Sequence, residues 1–423
     1  MNTSFSNNSF YKNSSVSFAE LLQKHIPAEA TGTSLHQDLN DVEPFAGMNY
    51  PAELAAKNTA IAEFWKQHRL HGTPEPMVPS PFARHYRTTS KRRVFFAHNR
   101  FRLRFSHRSE SAKNPATLPS LLEPKEHEAI YSFLIEKLNT PGFTVAARQL
   151  TYIIIRGSYT EFSVIFNVAG LSGPIIKNLK SLAQHLQNPE SKVVSSFVFC
   201  DPTRSDYYLD MKAVDEAWKI KKLFGSDFLH VSIGDLKFRY NPVSFSQINL
   251  SILPKMLERV QSLCRPNAQE RFIDLYCGYG LFANAIGRHY KNCWGIDVNE
   301  ESVDHARDTA KYQAKKNNLQ MHAHFRTAPI TPESLDKLLP VAGQMPETIV
   351  LDPPRQGPAE GVIQFCAHRQ ALRIVHVFCN VDRIPDDAAL WQRNGYRITD
   401  CIPLDMFPGT AGLEVILLLK PFR

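Results

Sequence analysis

From Arg271 to the C-terminus, apolar strand-like runs alternate with amphipathic helical stretches, and no other feature constrains the chain as strongly. Such alternation requires a mostly parallel sheet with helices on both faces, an α/β arrangement. Strands are expected over 272–276, 293–297, 348–351, 373–378, 396–402 and 413–419. The first opens the segment F-I-D-L-Y-C-G-Y-G-L-F, 272–282, in which a buried strand enters a glycine turn and then a helix. In α/β folds a turn of this kind holds nucleotide-like ligands at the strand's C-terminal end, and Gly278 and Gly280 let the backbone approach the ligand. Two glycines after a strand also occur in a plain strand-turn-helix, and the third glycine of a dinucleotide fingerprint is missing. Asp297, about twenty residues further on at the end of C-W-G-I-D, adds specificity, because a carboxylate there can accept both hydroxyls of a ribose. Asp274, within the first strand, would be a buried charge unless backbone donors or a positively charged ligand compensate it.

The 423 residues suffice for two or three domains, and 43% apolar residues can fill real cores. The longest apolar runs, such as 415–419, fall far short of the roughly 20 residues a membrane helix needs. The Asn- and Ser-rich N-terminus lacks the basic start and apolar core of a secretory signal, so a cytoplasmic protein without a membrane partner is expected. Seven cysteines without C-x-x-C pairing fit a reducing compartment and point to no metal site. Nothing specifies an oligomer, so a monomer is the default.

Residues 1–45 are polar with one short apolar patch at 18–22, and are expected to form a mostly disordered arm. In 46–81, Leu54, Ala55, Ile61, Phe64 and Trp65 recur at helical spacing before a Gly-Pro-rich linker at 72–81. Residues 82–240 read as an α+β substrate-binding domain, with strands at 150–156 and 162–168 and helices at 126–138 and 175–186; 241–423 form the α/β domain.

The net charge of +8 is modest, but its distribution is not. Between Arg84 and Arg108 lie nine Arg or Lys residues and no Asp or Glu, interleaved with Phe95, Phe96, Phe101 and Phe105. The alternating F-R-L-R-F suits a solvated basic hairpin. It equally suits a strand whose Arg102 and Arg104 reach phosphates while nearby aromatics stack on unpaired bases, so RNA is the expected partner.

Four later segments bear chemical groups: S-F-S-Q-I-N at 244–249, L-D-P-P-R-Q-G at 351–357, V-F-C-N at 377–380 and D-M-F-P-G-T-A-G-L-E at 405–414. Taken singly, each has a plain structural reading: D-P-P as a tight turn, Cys379 as a small buried hydrophobe, Glu414 as an edge-strand carboxylate. In this order and spacing the series resembles the RNA uracil-5-methyltransferases. The likeness covers roughly 230–423; upstream, S-P-F-A-R-H-Y-R at 80–87 resembles the tRNA branch and L-T-Y-I-I-I-R-G at 150–157 a central-domain strand, while the first 75 residues carry no such likeness.

The resemblance implies a Rossmann-like class I methyltransferase domain preceded by an α+β RNA-binding domain. It implies transfer of a methyl group from S-adenosylmethionine to C5 of a uridine, giving 5-methyluridine. Because uracil C5 is a poor nucleophile, a thiolate must first add at C6 and a base must later remove the C5 proton. By resemblance Cys379 is the nucleophile and Glu414 the base. Gln247, Asp274, Tyr276, Gly278, Gly280, Leu281, Asp297 and Asp352 belong to the cofactor site, and Arg355, Asn380, Arg84, Arg87, Arg102 and Arg104 to the RNA site.

The chain departs from the family pattern at four places. Gly412 stands where a His usually precedes the catalytic Glu, Phe378 and Val381 replace the Ser and Pro of S-C-N-P, and Leu281 replaces a small polar residue. These changes admit an RNA-binding protein with weak or no catalysis as the alternative, and a methyltransferase with another target as a third reading. No four-cysteine cluster or N-terminal β-barrel is evident, so tRNA is expected before rRNA.

Overall fold

A computed structural model describes residues 16–27, 43–105, 119–187, 189–204, 209, 220–317 and 322–422. Its first sheet has six strands: β1 (Thr89–Ala97), β2 (Arg100–Phe105), β3 (Leu150–Gly157), β4 (Phe162–Val168), β5 (Val193–Cys200) and β6 (Ile220–Gly225). Their order is β2-β1-β3-β4-β5-β6, with antiparallel neighbours except β4 and β5. A parallel pair needs a crossover, here provided by the helix Gly173–Gln184. Sequence reasoning did not anticipate β5, whose V-V-S-S-F-V-F-C interrupts an apolar run with two serines; Ser196 is buried and donates to the carbonyl of Val164 at 2.8 Å.

In β1 the alternation turns Ser90, Arg92 and Val94 inward. Arg92, 2% exposed, donates both guanidinium arms to Glu123, at 2.9 Å and 2.7 Å, and lies over the ring of Phe105. One of the nine basic residues is thus a core group, held by a planar fork that lysine could not form.

A hairpin of β7 (Leu229–Ile233) and β8 (Leu236–Tyr240) leads to the second large sheet and packs in its apolar core. That sheet comprises β9 (Arg271–Leu275), β10 (Asn292–Asp297), β11 (Ala323–Thr327), β12 (Glu347–Leu351), β13 (Arg373–Phe378), β14 (Tyr396–Leu404) and β15 (Glu414–Pro421). The order is β11-β10-β9-β12-β13-β15-β14, with parallel pairing among β9–β13 and β15 antiparallel to both its neighbours. β9 and β12 are buried on both faces, which is why apolar residues predominate in them without the alternation of a half-exposed strand. This is the class I methyltransferase arrangement expected, preceded by an α+β unit.

Part of the expected disordered arm is a helix. α1 (Phe18–His25) begins at a capping box between Ser17 and Glu20, and buries Phe18, Leu21 and Leu22. α2 (Tyr50–Gln67) buries Ile61, Phe64 and Trp65 in the same apolar cluster as Ile349 of β12 and Leu417 of β15. Both helices therefore complete the second sheet's core; 1–15 and 28–42 of the arm lie outside the described residues. Among the described residues no helix is long and apolar enough to cross a membrane.

The Arg92–Glu123 pair makes a test of the first domain. Glu123→Ala strands a buried guanidinium and should lower the unfolding free energy by about 3–5 kcal/mol in urea titration, whereas adding Arg92→Met should recover most of the loss.

Candidate active site

The strand order reverses on either side of β9, between β10 and β12, and in open α/β sheets the crevice at such a point receives ligands. Leu275 of β9 pairs with Ile296 of β10 and Leu351 of β12, so the next residues, Tyr276, Asp297 and Asp352, emerge side by side at the strands' C-terminal ends. Tyr276 has φ 65°, an uncommon conformation for a bulky residue. Its hydroxyl accepts from the backbone N–H of Ala359 at 3.2 Å, tying the strand end to the loop beyond D-P-P-R-Q-G.

Gly278 (φ 52°) donates its N–H to Asp297 Oδ2 at 2.9 Å, which fixes that carboxylate over the turn. Gly280 (φ 82°) leaves no room for a side chain: a Cβ there would stand 2.7 Å from Ala306 Cβ. Asp274 is fully buried; Oδ2 accepts from the N–H of Ala283 at 2.8 Å, while Oδ1 finds no protein partner. Burial is the main force pushing its carboxyl well above the usual range, and Asp352 and Asp297 add to it. Asp352 is pushed up to about 7, by burial and then by Asp297. Three carboxyl groups thus crowd one crevice, one with an orphaned oxygen, and among the described residues only the N–H groups of Gly278, Ala283 and Asn299 donate to them. A ligand bearing positive charge and a ribose fits this donor set, as S-adenosylmethionine does.

Cys379 and Glu414 are brought together by one register. β13 and β15 run antiparallel with Ile374 opposite Leu419 and Phe378 opposite Val415, so the following step faces Cys379 with Glu414. Cys379 is half-buried, whereas the other six cysteines are buried. Burial pushes its thiol up to about 11, with Glu414 and Asp352 adding to the rise and Arg355 opposing it. Glu414 is 3% exposed with Oε2 lacking a protein partner, and burial, then Asp352, raises its carboxyl well above the ordinary value. Cys379, Asn380, Pro353 and Arg355 line one open cleft, and Asn380 Nδ2 reaches the carbonyl of Arg355 at 3.4 Å.

Other expected residues fall differently. Gln247 is buried beside Ser246, which accepts from Arg156 at 3.0 Å and ties this segment to the first sheet. Leu281 turns its side chain into the apolar core, leaving its backbone alone to serve a ligand. Arg84 donates to the carbonyls of Ala46, Phe45 and Met48 and pairs with Glu53 at 3.1 Å, so its guanidinium is engaged within the protein, where RNA contact had been expected. Arg87 is half-exposed at a bridge to Asn249, and Arg102 and Arg104 lie on the half-exposed face of β2. Sequence reasoning missed Arg383, which lines the Cys379 cleft. The signal was a basic residue one turn after Cys379.

Comparison with known proteins agrees with this geometry. The tRNA (uracil-5-)-methyltransferase family model matches residues 200–421, more than half of the chain. Among curated relatives, an uncharacterized RNA methyltransferase of Nanoarchaeum equitans is 27% identical over 89% of this chain and 77% of its own length. Another, from Enterococcus faecalis, is 26% identical over 89% and 81%. The crystal structure of Pyrococcus abyssi tRNA (uracil-54, C5)-methyltransferase in complex with S-adenosyl-L-homocysteine shares the fold, with a TM-score of 0.62 at 22% identity, covering 89% of this chain and 85% of that one. The chain therefore belongs to the S-adenosylmethionine-dependent tRNA (uracil-5-)-methyltransferase family.

Proposed function

We propose that the protein methylates C5 of a uridine in tRNA through a covalent bond between Cys379 and C6 of the base. The observation that carries this reading is the register that sets Cys379 against Glu414 beside the carboxylate crevice. The choice of tRNA rests on the matched family's description and on the S-P-F-A-R-H-Y-R segment.

Asp297 is the ribose acceptor, and Asp352, Asp274 and Gln247 hold the charged part of the cofactor. S-adenosylmethionine, when bound, supplies an electrophilic methyl group. The Cys379 thiolate adds to C6 of a uridine turned out of its stack, and the C5=C6 electron pair forms the bond from C5 to the methyl group as the methyl–sulfur bond breaks, its pair going to sulfur and S-adenosylhomocysteine leaving. Glu414 next takes the C5 proton. The electrons of the broken C5–H bond rebuild the C5=C6 double bond as the C6–S bond breaks, returning its pair to Cys379. A carboxylate denied water is a strong base once ionised, and burial of Glu414 suits that task. Positive charge beside Asp352 relieves the repulsion that raises both Glu414 and Cys379, so ligand binding would itself favour the thiolate.

The RNA extends over the outer face of β1 and β2. There Arg93 faces Arg104, Phe95 faces Arg102 and Ala97 faces Arg100, while Arg104 lies over the ring of Phe95 at 5.2 Å. Like charges directly opposite on a ladder cost roughly 0.2–1 kcal/mol, a cost that phosphates would reverse.

Each step has a measurable consequence. A thiol held near 11 ionises only as pH rises toward that value, so Cys379 alkylation by iodoacetamide, counted against Cys379→Ala, should climb tenfold per unit between pH 7 and 10 in the free enzyme; a plateau at pH 8 would contradict it. Glu414→Gln should leave methylated RNA on Cys379 as a denaturant-resistant adduct, and its absence beside an active wild type would remove Glu414 as the base. Replacing Arg102 and Arg104 by Gln should reduce the salt slope of tRNA binding by about 1.5–2 with cofactor affinity unchanged; an unaltered slope would make the hairpin a solvated one.

A further inference from the structure

We propose that α2 is a positioning device for the catalytic base: its buried Lys57 clamps the loop 405–412 and so holds Glu414 for proton removal. The inference rests on the assignment of Glu414 as base, but the clamp is observable without it.

Lys57 is fully buried, as are Glu53 and Asp405. Its ammonium has three acceptors for three protons: Glu53 Oε1 at 2.9 Å, Asp405 Oδ1 at 2.8 Å and the carbonyl of Phe407 at 3.3 Å. Two of these lie on the loop that joins β14 to β15. Glu53 Oε1 also accepts the N–H of Gly409 at 2.5 Å, while Arg84 pairs with Glu53 Oε2 and so closes the charge count at two of each sign. The same loop is gripped from further N-terminal residues. Tyr86 donates its hydroxyl to the carbonyl of Pro408 at 3.0 Å, Phe45 N–H donates to Gly409 at 3.0 Å, and Asp405 N–H donates to Val78 at 3.0 Å.

From the clamp a hydrogen-bond path runs to the base. The carbonyl of Phe407, which accepts from Lys57, also accepts the Thr410 hydroxyl at 2.9 Å, and Thr410 Oγ1 accepts the N–H of Gly412 at 3.1 Å. Leu413, buried in the second sheet's core, and then Glu414 follow. A Cβ on Gly412 would stand 3.1 Å from the Phe407 ring, so the loop is closed upon itself as well as upon α2. By contrast, Cys379 is positioned from β13, and no bond of this path reaches it. Loosening the clamp should therefore impair the step that uses Glu414 more than the step that uses Cys379.

The test uses the full chain with Lys57→Met, and Thr410→Val as a milder break in the same path should Lys57→Met fail to fold. Hydrogen exchange should show the amides of 405–412 losing protection at least tenfold while β9 and β12 keep theirs; unchanged exchange overturns the clamp. With S-adenosylmethionine and unmodified tRNA, first-turnover methyl transfer should stay within threefold of wild type. Product release should slow at least tenfold, and a denaturant-resistant protein–RNA adduct should build up. Equal slowing of transfer and release, or no adduct, overturns the positioning role. A wild type that forms neither 5-methyluridine nor adduct would refute the methylation reading, and hydrogen exchange would then decide the clamp alone.

Discussion

The reversal of one strand organises the catalytic half of this protein. Because β15 runs antiparallel between β13 and β14, its first residue meets the C-terminal end of β13, where a parallel sheet would have placed the far end of the strand. A residue far along the chain is thereby delivered to the edge at which β9, β10 and β12 present their ligand-facing groups. Slipping this register by one residue would turn Glu414 to the other face of the sheet and exchange every buried side chain of β15 with its neighbour. The apolar run that follows Glu414 is buried on both faces, and its fit locks the register. Placement of Glu414 is in this sense a property of the core.

The second constraint is charge. Asp274, Asp297 and Asp352 are gathered where backbone donors satisfy only some of their oxygens, and Glu414 adds a fourth carboxyl within electrostatic reach. A protein held together by such a site alone would be unstable, and the surrounding sheet must hold the groups in place. The site is thus arranged for a ligand whose positive charge completes it, and the same charge eases ionisation of Cys379 and Glu414. Under the proposed mechanism, positive charge at Asp352 would favour the Cys379 thiolate, because Asp352 contributes to the rise of both Cys379 and Glu414.

The parallel sheet was legible in the sequence because strands buried on both faces read as apolar runs, as β12 and β13 do. The glycine turn, Asp297 and Cys379 stand out because each follows such a run, and Glu414 because it opens one. The fate of basic residues was not. Arg84 and Arg92 belong to the same acid-free stretch as Arg102 and Arg104, yet the former two bond inward. A guanidinium is long enough to turn either way, and the deciding partners, Glu53 and Glu123, lie about thirty residues away in the chain. β5 escaped notice because two buried serines break its apolar run, and the bond of Ser196 to the carbonyl of Val164 on the neighbouring strand is invisible in one dimension.

α2 illustrates the same limit and its consequence. Glu53 and Lys57, four residues apart, have the spacing of a solvent-exposed helical ion pair worth a few tenths of a kcal/mol. In the fold both are fully buried, and Asp405, from the opposite end of the chain, joins them. Removal of one member from such a group costs about 3–5 kcal/mol, because the remaining charges are left without water. An apolar triplet of equal volume could hold the helix in place as firmly, but it would not fix the direction of the loop carbonyls. The ionic group aims specific backbone atoms, Phe407 and Gly409, and through them the approach to Glu414. α2 carries none of the motifs by which the sequence resembles the family, yet through this ionic group it bears on the loop that leads to Glu414.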